Sequence, residues 1–280
     1  MLAVGLFATM DALVKHLAAT YPVLQLVFFR SLFAFAPLSI LLARSGGLAA
    51  LKTARPLGHV LRSLTGLVSM ALFFLAFALL PLAEAIALSF AGPLFLTVLS
   101  IPLLGERVGP RRWAAVLAGF LGVLVIVRPG AGVFGIEALI PLGAAATYAF
   151  AMIFVRKLSR SETNAAIVFY FTASCTVISG LAMPFVWVAP SLADLPGLIG
   201  VGLLGGAAQL FMTQAFRLAP AAVIAPFEYL AILFGIGFGY AFWGELPDRW
   251  TVLGAGVVVA SGLYILHRET VRRRERPGPG

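Results

Sequence analysis

The sequence predicts an all-α transmembrane protein of ten helices, arranged as two five-helix units in an inverted repeat. Three observations lead to this prediction. Apolar residues form blocks of membrane-spanning length, lysine and arginine collect in alternate gaps between the blocks, and the second half of the chain resembles the first at a fixed offset. Of 280 residues, 61% are hydrophobic and only 11% are charged, against about 25% charged in a soluble domain. A lipid bilayer is therefore the predicted surrounding of the chain.

Each apolar block is close to the roughly 20 residues that a helix needs to cross a bilayer. The predicted spans are 1–18, 23–43, 60–80, 85–104, 113–128, 137–155, 164–188, 197–216, 221–243 and 250–267. The block at 113–128 is the shortest and needs its flanking residues to reach across. Tight turns that contain Pro81 and Pro220 predict that the helices on either side of them run antiparallel.

Basic residues predict the orientation, because cytoplasmic segments carry an excess of lysine and arginine. With a cytoplasmic N-terminus, 16 of the 20 basic residues, Arg62 among them, fall in cytoplasmic segments, and only Arg128 and Arg249 fall on the opposite side. Both termini are therefore expected in the cytoplasm. A basic tail at 269–280 is expected there too, and we expect its last part, 272–280, to be disordered.

An offset of 139 residues aligns the chain with itself. The matching segments are 76–83 with 215–222 (five of eight residues identical), Leu94-Phe95 with Leu233-Phe234, and Gly105-Glu106 with Gly244-Glu245. Five spans separate equivalent points, and because five is odd the second unit is upside down in the membrane. The predicted division is a first repeat at 1–130, an inverted second repeat at 131–268 and the basic tail. Inverted repeats are typical of secondary transporters.

The same segments carry a family resemblance. It rests on 80–85, Gly92-Pro93, 104–107 and 119–123 in the first half, and on 218–221, Gly244-Glu245 and 260–262 in the second. These segments resemble the two copies of the EamA domain in the ten-span branch of the drug/metabolite transporter superfamily. The resemblance implies a carrier of the bacterial inner membrane, with both termini cytoplasmic. It also implies a cargo among amino acids, vitamins, nucleotide-like metabolites and drugs, and many members of the family are exporters.

Other classes of protein lack support in the sequence. The chain contains no HExxH, GxSxG or P-loop pattern, so we expect neither an enzyme nor an ATP-driven pump. Cys175 is the only cysteine and the three histidines are scattered, so we expect no metal site and no cofactor. The basic residues lie in short gaps between spans, which does not indicate a nucleic-acid partner.

Charged residues inside the spans are candidates for function, because a charge in the bilayer core costs several kcal/mol unless it is paired or hydrated. Asp11 and Lys15 are four residues apart and share a helix face. They either neutralise each other or bind a zwitterion. Arg30 either anchors a substrate carboxylate or phosphate, or neutralises Asp11 across a helix interface, and we favour the structural role. Glu84 follows a turn and is expected at a helix N-terminus, where its charge is favoured.

Glu228 is the strongest candidate for a substrate-binding residue. It lies two residues after Pro226, which can break the ninth helix near the membrane midplane. At the repeat offset Glu228 aligns with Ser89, so the two halves differ where a site is expected. A carboxylate there would bind a substrate amine or carry a coupling proton, and Asp11 is the other candidate for proton coupling.

Further polar and helix-breaking residues complete the candidate site. The additional substrate-binding candidates are Tyr229, Gln209, Gln214, Tyr148 and Ser89, and the helix-breaking or gating candidates are Pro226 and Pro93. Each of the polar side chains can also bridge two helices, which is the commoner use.

The predicted function is secondary active transport of small metabolites across the inner membrane by alternating access. Export of amino acids or related amphiphilic metabolites is the preferred prediction. The alternatives are uptake of a vitamin or nucleoside-like compound, and lipid flipping. The oligomeric state, monomer or homodimer, is left open.

Overall fold

The computed structural model describes residues 2–44, 47–105, 108–128, 136–159, 161–218 and 228–275, and every regular element within these ranges is helical. The α-helices are α1 (Leu2–Leu17), α2 (Val23–Phe33), α3 (Phe35–Arg44), α4 (Pro56–Leu79), α5 (Leu82–Ser89), α6 (Gly92–Leu104), α7 (Pro110–Val127), α8 (Leu139–Leu158), α9 (Asn164–Val186), α10 (Leu195–Leu218), α11 (Leu230–Trp243) and α12 (Arg249–Glu275). Short 3₁₀ helices lie at Gly47–Leu51 and Ile136–Ala138.

These helices form ten passes, because α2 with α3 and α5 with α6 each make one broken pass. Six described segments are long and apolar enough to cross a membrane, and Trp113–Val127, Leu230–Trp243 and Arg249–Ile265 are shorter apolar helices. The predicted all-α transmembrane fold is therefore confirmed. One detail was wrong, since α12 continues to Glu275 although part of that stretch was expected to be disordered.

Both breaks lie close to a proline. A proline has no N–H to donate to the carbonyl four residues earlier, so Pro37 leaves the carbonyl of Phe33 without its helical partner, at the point where α2 ends. Pro93 likewise has no N–H for the carbonyl of Ser89, and α5 ends at Ser89 before α6 begins at Gly92. The structure thus contains a helix break beside Pro93, whereas Pro226 lies outside the described residues.

The packing of the helices follows the repeat. At the 139-residue offset α1 corresponds to α8, α2 to α9, α4 to α10 and α7 to α12. Three consequences are visible in the contacts: α7 packs on its own counterpart α12, α2 packs on its counterpart α9, and α4 packs on α8 as α10 packs on α1. The turns after α6 and α11 are also equivalent, since Gly105 and Gly244 both adopt positive φ, of 67° and 66°. The two halves are therefore related by an approximate two-fold axis.

The helix ends lie on two opposite faces of the protein. The first is called the Glu245 face and contains Glu245, Arg128 and Asp248. There an ion pair joins the two halves, with Arg128 Nη2 and Asp248 Oδ2 2.6 Å apart. On the same face the Tyr21 hydroxyl donates to Asp194 at 2.8 Å. The other, the Glu162 face, carries the loop after α3 and the loop after α8. Bonds across the two halves therefore close the described protein on both faces.

Candidate functional site

A narrow cavity lies between the two halves, where α2, α3, α4, α9 and α10 meet. Its polar or charged lining consists of Arg30, Arg62, Thr172 and Gln209, and Phe171 forms one wall. The space is scarcely larger than a water molecule in this conformation. A substrate would have to enter through a movement of the surrounding helices.

Arg62 is the main correction to the sequence analysis, which counted it on the cytoplasmic side although it falls at the start of the predicted span 60–80. It lies inside α4 and is only 9% exposed. Its guanidinium carbon stands 3.7 Å from the ring centre of Phe171. A signal for this position was present, because Pro56 is at the start of α4 and proline favours the first turn of a helix. That start places Arg62 almost two turns inside the helix.

Arg30 lies across the cavity from Arg62. It is 6% exposed, and its guanidinium carbon is 5.9 Å from the same ring of Phe171. Asp11 of α1 is partly buried and lies within electrostatic reach of Arg30, so the predicted proximity of these two side chains is present. No ion pair within 4.0 Å joins them among the described residues.

Two glycines make room for the arginines. A Cβ atom on Gly66 would come within 2.7 Å of Arg62 Nη1, and a Cβ on Gly205 within 3.2 Å of Arg30 Nε. A larger residue at position 66 requires both Arg62 and Phe171 to move, and one at position 205 requires Met10 to move, since its Sδ atom would lie 2.6 Å from the added Cβ.

Lys15 does not pair with Asp11, and that part of the sequence analysis was wrong. Its ammonium group is 2.9 Å from Glu245 Oε1 and donates to the Leu80 carbonyl at 2.7 Å. Glu245 also accepts from the Leu82 N–H at 3.1 Å. Because Lys15 lies near the end of α1, its side chain reaches the face of the protein and ties the two halves together there. Its role in the described conformation is structural.

Glu228 and Tyr229 precede α11 at the break in the ninth pass. The ring of Tyr229 lies 4.7 Å from that of Phe90, centre to centre, and these two residues are equivalent at the 139-residue offset. Glu228 is partly buried. The broken points of the two halves therefore meet at the approximate two-fold axis.

Tyr148 lies near the middle of α8, within electrostatic reach of both Glu228 and Arg62. Its side chain is 46% exposed.

The remaining candidates separate into different roles. The Ser89 hydroxyl donates to the Ile86 carbonyl of its own helix at 2.6 Å, which caps the break before α6. Gln209 lines the cavity, and the side chain of Gln214 lies outside the described residues. Glu84 is buried in the first turn of α5, as the sequence predicts.

Comparison with known proteins places the chain in a family. The profile of the EamA-like transporter family matches residues 1–128 and again residues 135–266. A solved structure described only as "Crystal structure of protein" has the same fold. Its TM-score is 0.65 over 98% of this chain and 96% of its own, at 20% identity. At that identity the likeness concerns the fold alone.

Relatives of similar length are transporters. The pseudopaline exporter CntI of Pseudomonas aeruginosa is 34% identical over 91% of this chain and 90% of its own length. The riboflavin transporter of Rhizobium johnstonii is 32% identical over 92% and 85%. The S-adenosylmethionine uptake transporter of Rickettsia prowazekii is 30% identical over 92% and 88%. With its two matched units and its ten helical passes, this chain belongs to the EamA-like transporter family.

Proposed function

We propose that the protein is a secondary carrier that exports amino acids or related amphiphilic metabolites across the bacterial inner membrane by alternating access. The observation that carries the proposal is the presence of charged side chains from both halves in the interior of the protein. Arg30 and Arg62 of the first half line the cavity, and Asp11 lies within electrostatic reach of Arg30. Glu228 of the second half lies within electrostatic reach of Tyr148. Charges are expensive inside a bilayer and mark transport pathways.

The site has an acidic and a basic part, which suits a zwitterion. Glu228 is the group for the substrate amine, and Tyr148, between Glu228 and Arg62, supplies a hydroxyl to the bound molecule. Tyr229 and the break beside Pro93 lie where the two halves meet. Helices broken near the midplane are where such carriers place their substrate sites.

Alternating access requires contacts between the halves that open on one face at a time. The Glu245 face is closed by the Lys15–Glu245 pair at 2.9 Å. The Glu162 face is closed by His59 and Glu162, whose Nε2 and Oε2 atoms are 3.4 Å apart. Opening of either contact would connect the cavity with one side of the membrane. The described conformation, closed on both faces, fits an occluded intermediate.

The relatives support a small-molecule cargo but differ in direction, since one is named an exporter and another an uptake transporter. Uptake of a vitamin or nucleoside-like compound is the second candidate, favoured by the riboflavin and S-adenosylmethionine transporters. Net direction follows from gradients as much as from structure.

The distribution of basic residues supports the proposed orientation in the inner membrane. With Arg62 no longer counted as cytoplasmic, 15 basic residues remain in the segments that the sequence predicts to be cytoplasmic, against Arg128 and Arg249 on the opposite side. The excess still favours cytoplasmic termini.

Transport by Glu228→Gln tests the proposal. Purified protein in proteoliposomes should exchange a labelled amino acid, and Glu228→Gln should lower this flux at least tenfold because it removes the charge that holds the amine. Glu84→Gln is the matched control, since Glu84 is a buried carboxylate on the corresponding pass of the first half, and it should retain most of the flux.

An imposed pH gradient should drive the flux if Glu228 or Asp11 carries a coupling proton.

Three results would count against the proposal. Equal flux of wild type and Glu228→Gln would remove Glu228 from the site. Flux of riboflavin but of no amino acid would favour the second candidate. Movement of a labelled phospholipid without any soluble cargo would favour a lipid flippase.

A further inference from the structure

The two buried arginines lack the hydrogen bonds that such groups require. Nε and Nη1 of Arg62 and Nε of Arg30 have no partner among the described residues, and all three atoms are shielded from solvent. A guanidinium offers five donors, and a buried donor without a partner costs about 1–3 kcal/mol, with more for a charged group. Packing by itself does not explain why two such groups are kept side by side.

Neighbouring acids do not neutralise the arginines. Asp11 lies within electrostatic reach of Arg30 but forms no ion pair with it among the described residues. Arg30 and Arg62 also repel each other, because two like charges line the same narrow cavity. The cavity therefore carries an excess of positive charge that an anion can compensate.

The surroundings hold the arginines in place without using their donors. The face of Phe171 supports the Arg62 guanidinium at 3.7 Å through a cation–π contact. Gly66 and Gly205 leave room for both side chains. Thr172 and Gln209 add polar groups to the lining. The donors are thus presented to a shared cavity, in the fixed fork that matches the oxygens of a carboxylate or phosphate.

We propose that Arg30 and Arg62 together bind the oxyanion group, carboxylate or phosphate, of the transported metabolite. This inference rests on the proposed function and narrows its substrate class to metabolites that carry such a group. The oxyanion takes the donors left unpaired in the described conformation. The cation–π contact with Phe171 sets the plane of Arg62 toward the bound oxygens.

Matched pairs of probes test the site. Thermal shifts of the detergent-solubilised protein are measured with L-phenylalanine against its uncharged-carboxyl analogue phenylalaninamide, and with riboflavin 5′-phosphate against riboflavin. The wild type should bind the anionic member of at least one pair more tightly, by roughly 10- to 100-fold, since hydrogen bonds to charged groups are worth about 1.5–3 kcal/mol. The first pair reports a carboxylate and the second a phosphate.

Arg62→Met separates a binding role from a structural one. Methionine has a similar shape without a charge, and it removes the cost of burying a guanidinium whose donors are unpaired. The variant should lose the preference for the anionic probe while its melting temperature without ligand stays the same or rises by a few degrees. Arg62→Lys should retain part of the preference, and Arg44→Gln, at an exposed helix end, should retain all of it.

The binding measurements test the oxyanion site, and the flux measurements in proteoliposomes test the transport function separately. No preference for an anionic probe in the wild type, or an undiminished preference in Arg62→Met, would overturn the oxyanion site. A lower melting temperature of Arg62→Met with the preference intact would make Arg62 a structural residue. Anion-selective binding without flux in proteoliposomes would instead contradict the proposed function and leave the site in place.

Discussion

Hydrogen bonding differs among the charged residues of this protein. Two at the helix ends have partners: Glu162 accepts from the Ala54 N–H at 3.2 Å and lies 3.4 Å from His59, and Lys15 contacts both Glu245 and the Leu80 carbonyl. Arg30 and Arg62, in the middle of the protein, keep unpaired donors, and Glu84 keeps an unpaired Oε2 atom at the start of α5. Of these three residues the two arginines line the cavity, where a ligand can pair with their donors.

Asp194 allows a pH prediction at the residue scale. Hydrogen bonds from Ser191 and Tyr21 lower the pKa of its carboxyl below the ordinary value, which is about 3.9. A folded-state pKa below the unfolded one means that the stabilisation is present above about pH 4 and is lost as the pH falls through the folded pKa. Thermal unfolding at pH 3 to 6 should therefore show that Asp194→Asn is less stable than wild type near pH 6, and that the difference shrinks toward pH 3.

The control is Glu137→Gln, which removes an exposed carboxylate from the Glu245 face. It should leave the pH dependence near that of wild type. A stability difference for Asp194→Asn that stays constant between pH 3 and pH 6 would contradict the assignment.

At the scale of elements, small residues decide which helices pack closely. Gly122 of α7 and Gly254 of α12 lie at the crossing of these two helices, and α12 also donates from Ser261 to the Ala115 carbonyl of α7. In a membrane, close approach of backbones through small residues replaces the hydrophobic driving force. The α7–α12 crossing is therefore a main structural link between the two halves.

Gly254→Ala should weaken this crossing. A Cβ atom there would lie 2.6 Å from the Gly122 carbonyl oxygen and 2.5 Å from Ile126 Cγ1, so the helices must move apart. We expect a loss of about 1–3 kcal/mol, typical of overpacking, measured as a lower melting temperature in detergent. Gly256→Ala is the matched control on the same helix, because nothing lies within 4 Å of its added Cβ, and it should be neutral or slightly stabilising. Equal melting temperatures of the two variants would refute the packing argument.

At the scale of the whole molecule, contacts between the halves on the two faces decide which side the cavity opens to. At the repeat offset Phe154 aligns with Lys15, so the second half cannot repeat the Lys15 ion pair on the Glu162 face. That face is held by other bonds, from the Tyr170 hydroxyl to the Leu51 carbonyl at 2.9 Å and from Thr163 to the Ala50 carbonyl at 2.7 Å. The inverted repeat thus supplies a similar scaffold on both sides with different contacts.

Cys175 provides a reporter for this opening, because it is the only cysteine of the chain and is 0% exposed. It lies midway along α9, within electrostatic reach of Arg30 and Arg62. A membrane-impermeant thiol reagent should therefore react slowly with wild type from either side. Glu245→Gln should raise the rate from the Glu245 face and Glu162→Gln from the Glu162 face, each about three- to fivefold for a contact worth about 1 kcal/mol.

The reaction rate of Cys175 is measured in right-side-out and in inside-out vesicles, so that the impermeant reagent reaches one face of the protein at a time. Glu137→Gln, which leaves these contacts intact, should react like wild type. Faster reaction from both faces in a single variant would indicate general loosening, and would contradict independent contacts on the two faces.

The amino-acid sequence by itself determined the fold and the family of this protein. Long apolar blocks require helices in a bilayer, because backbone groups must be satisfied within each segment. The 139-residue repeat with an odd number of spans then dictates the inversion, and Glu84 lies in the first turn of α5 as its position along the chain predicts. These properties depend on local composition and on the spacing of the repeat, and both can be read from a single amino-acid sequence.

Only the tertiary structure decided which charges meet. Lys15 is four residues from Asp11 in sequence but pairs with Glu245, which is 230 residues away. Arg62 was counted on the cytoplasmic side, and the packing of α4 against α9 brings it to Phe171 beside Arg30. The direction of a long side chain depends on the neighbours that surround it, and those neighbours come from distant segments. The site at the centre of the protein therefore becomes visible only when the two halves are folded against each other.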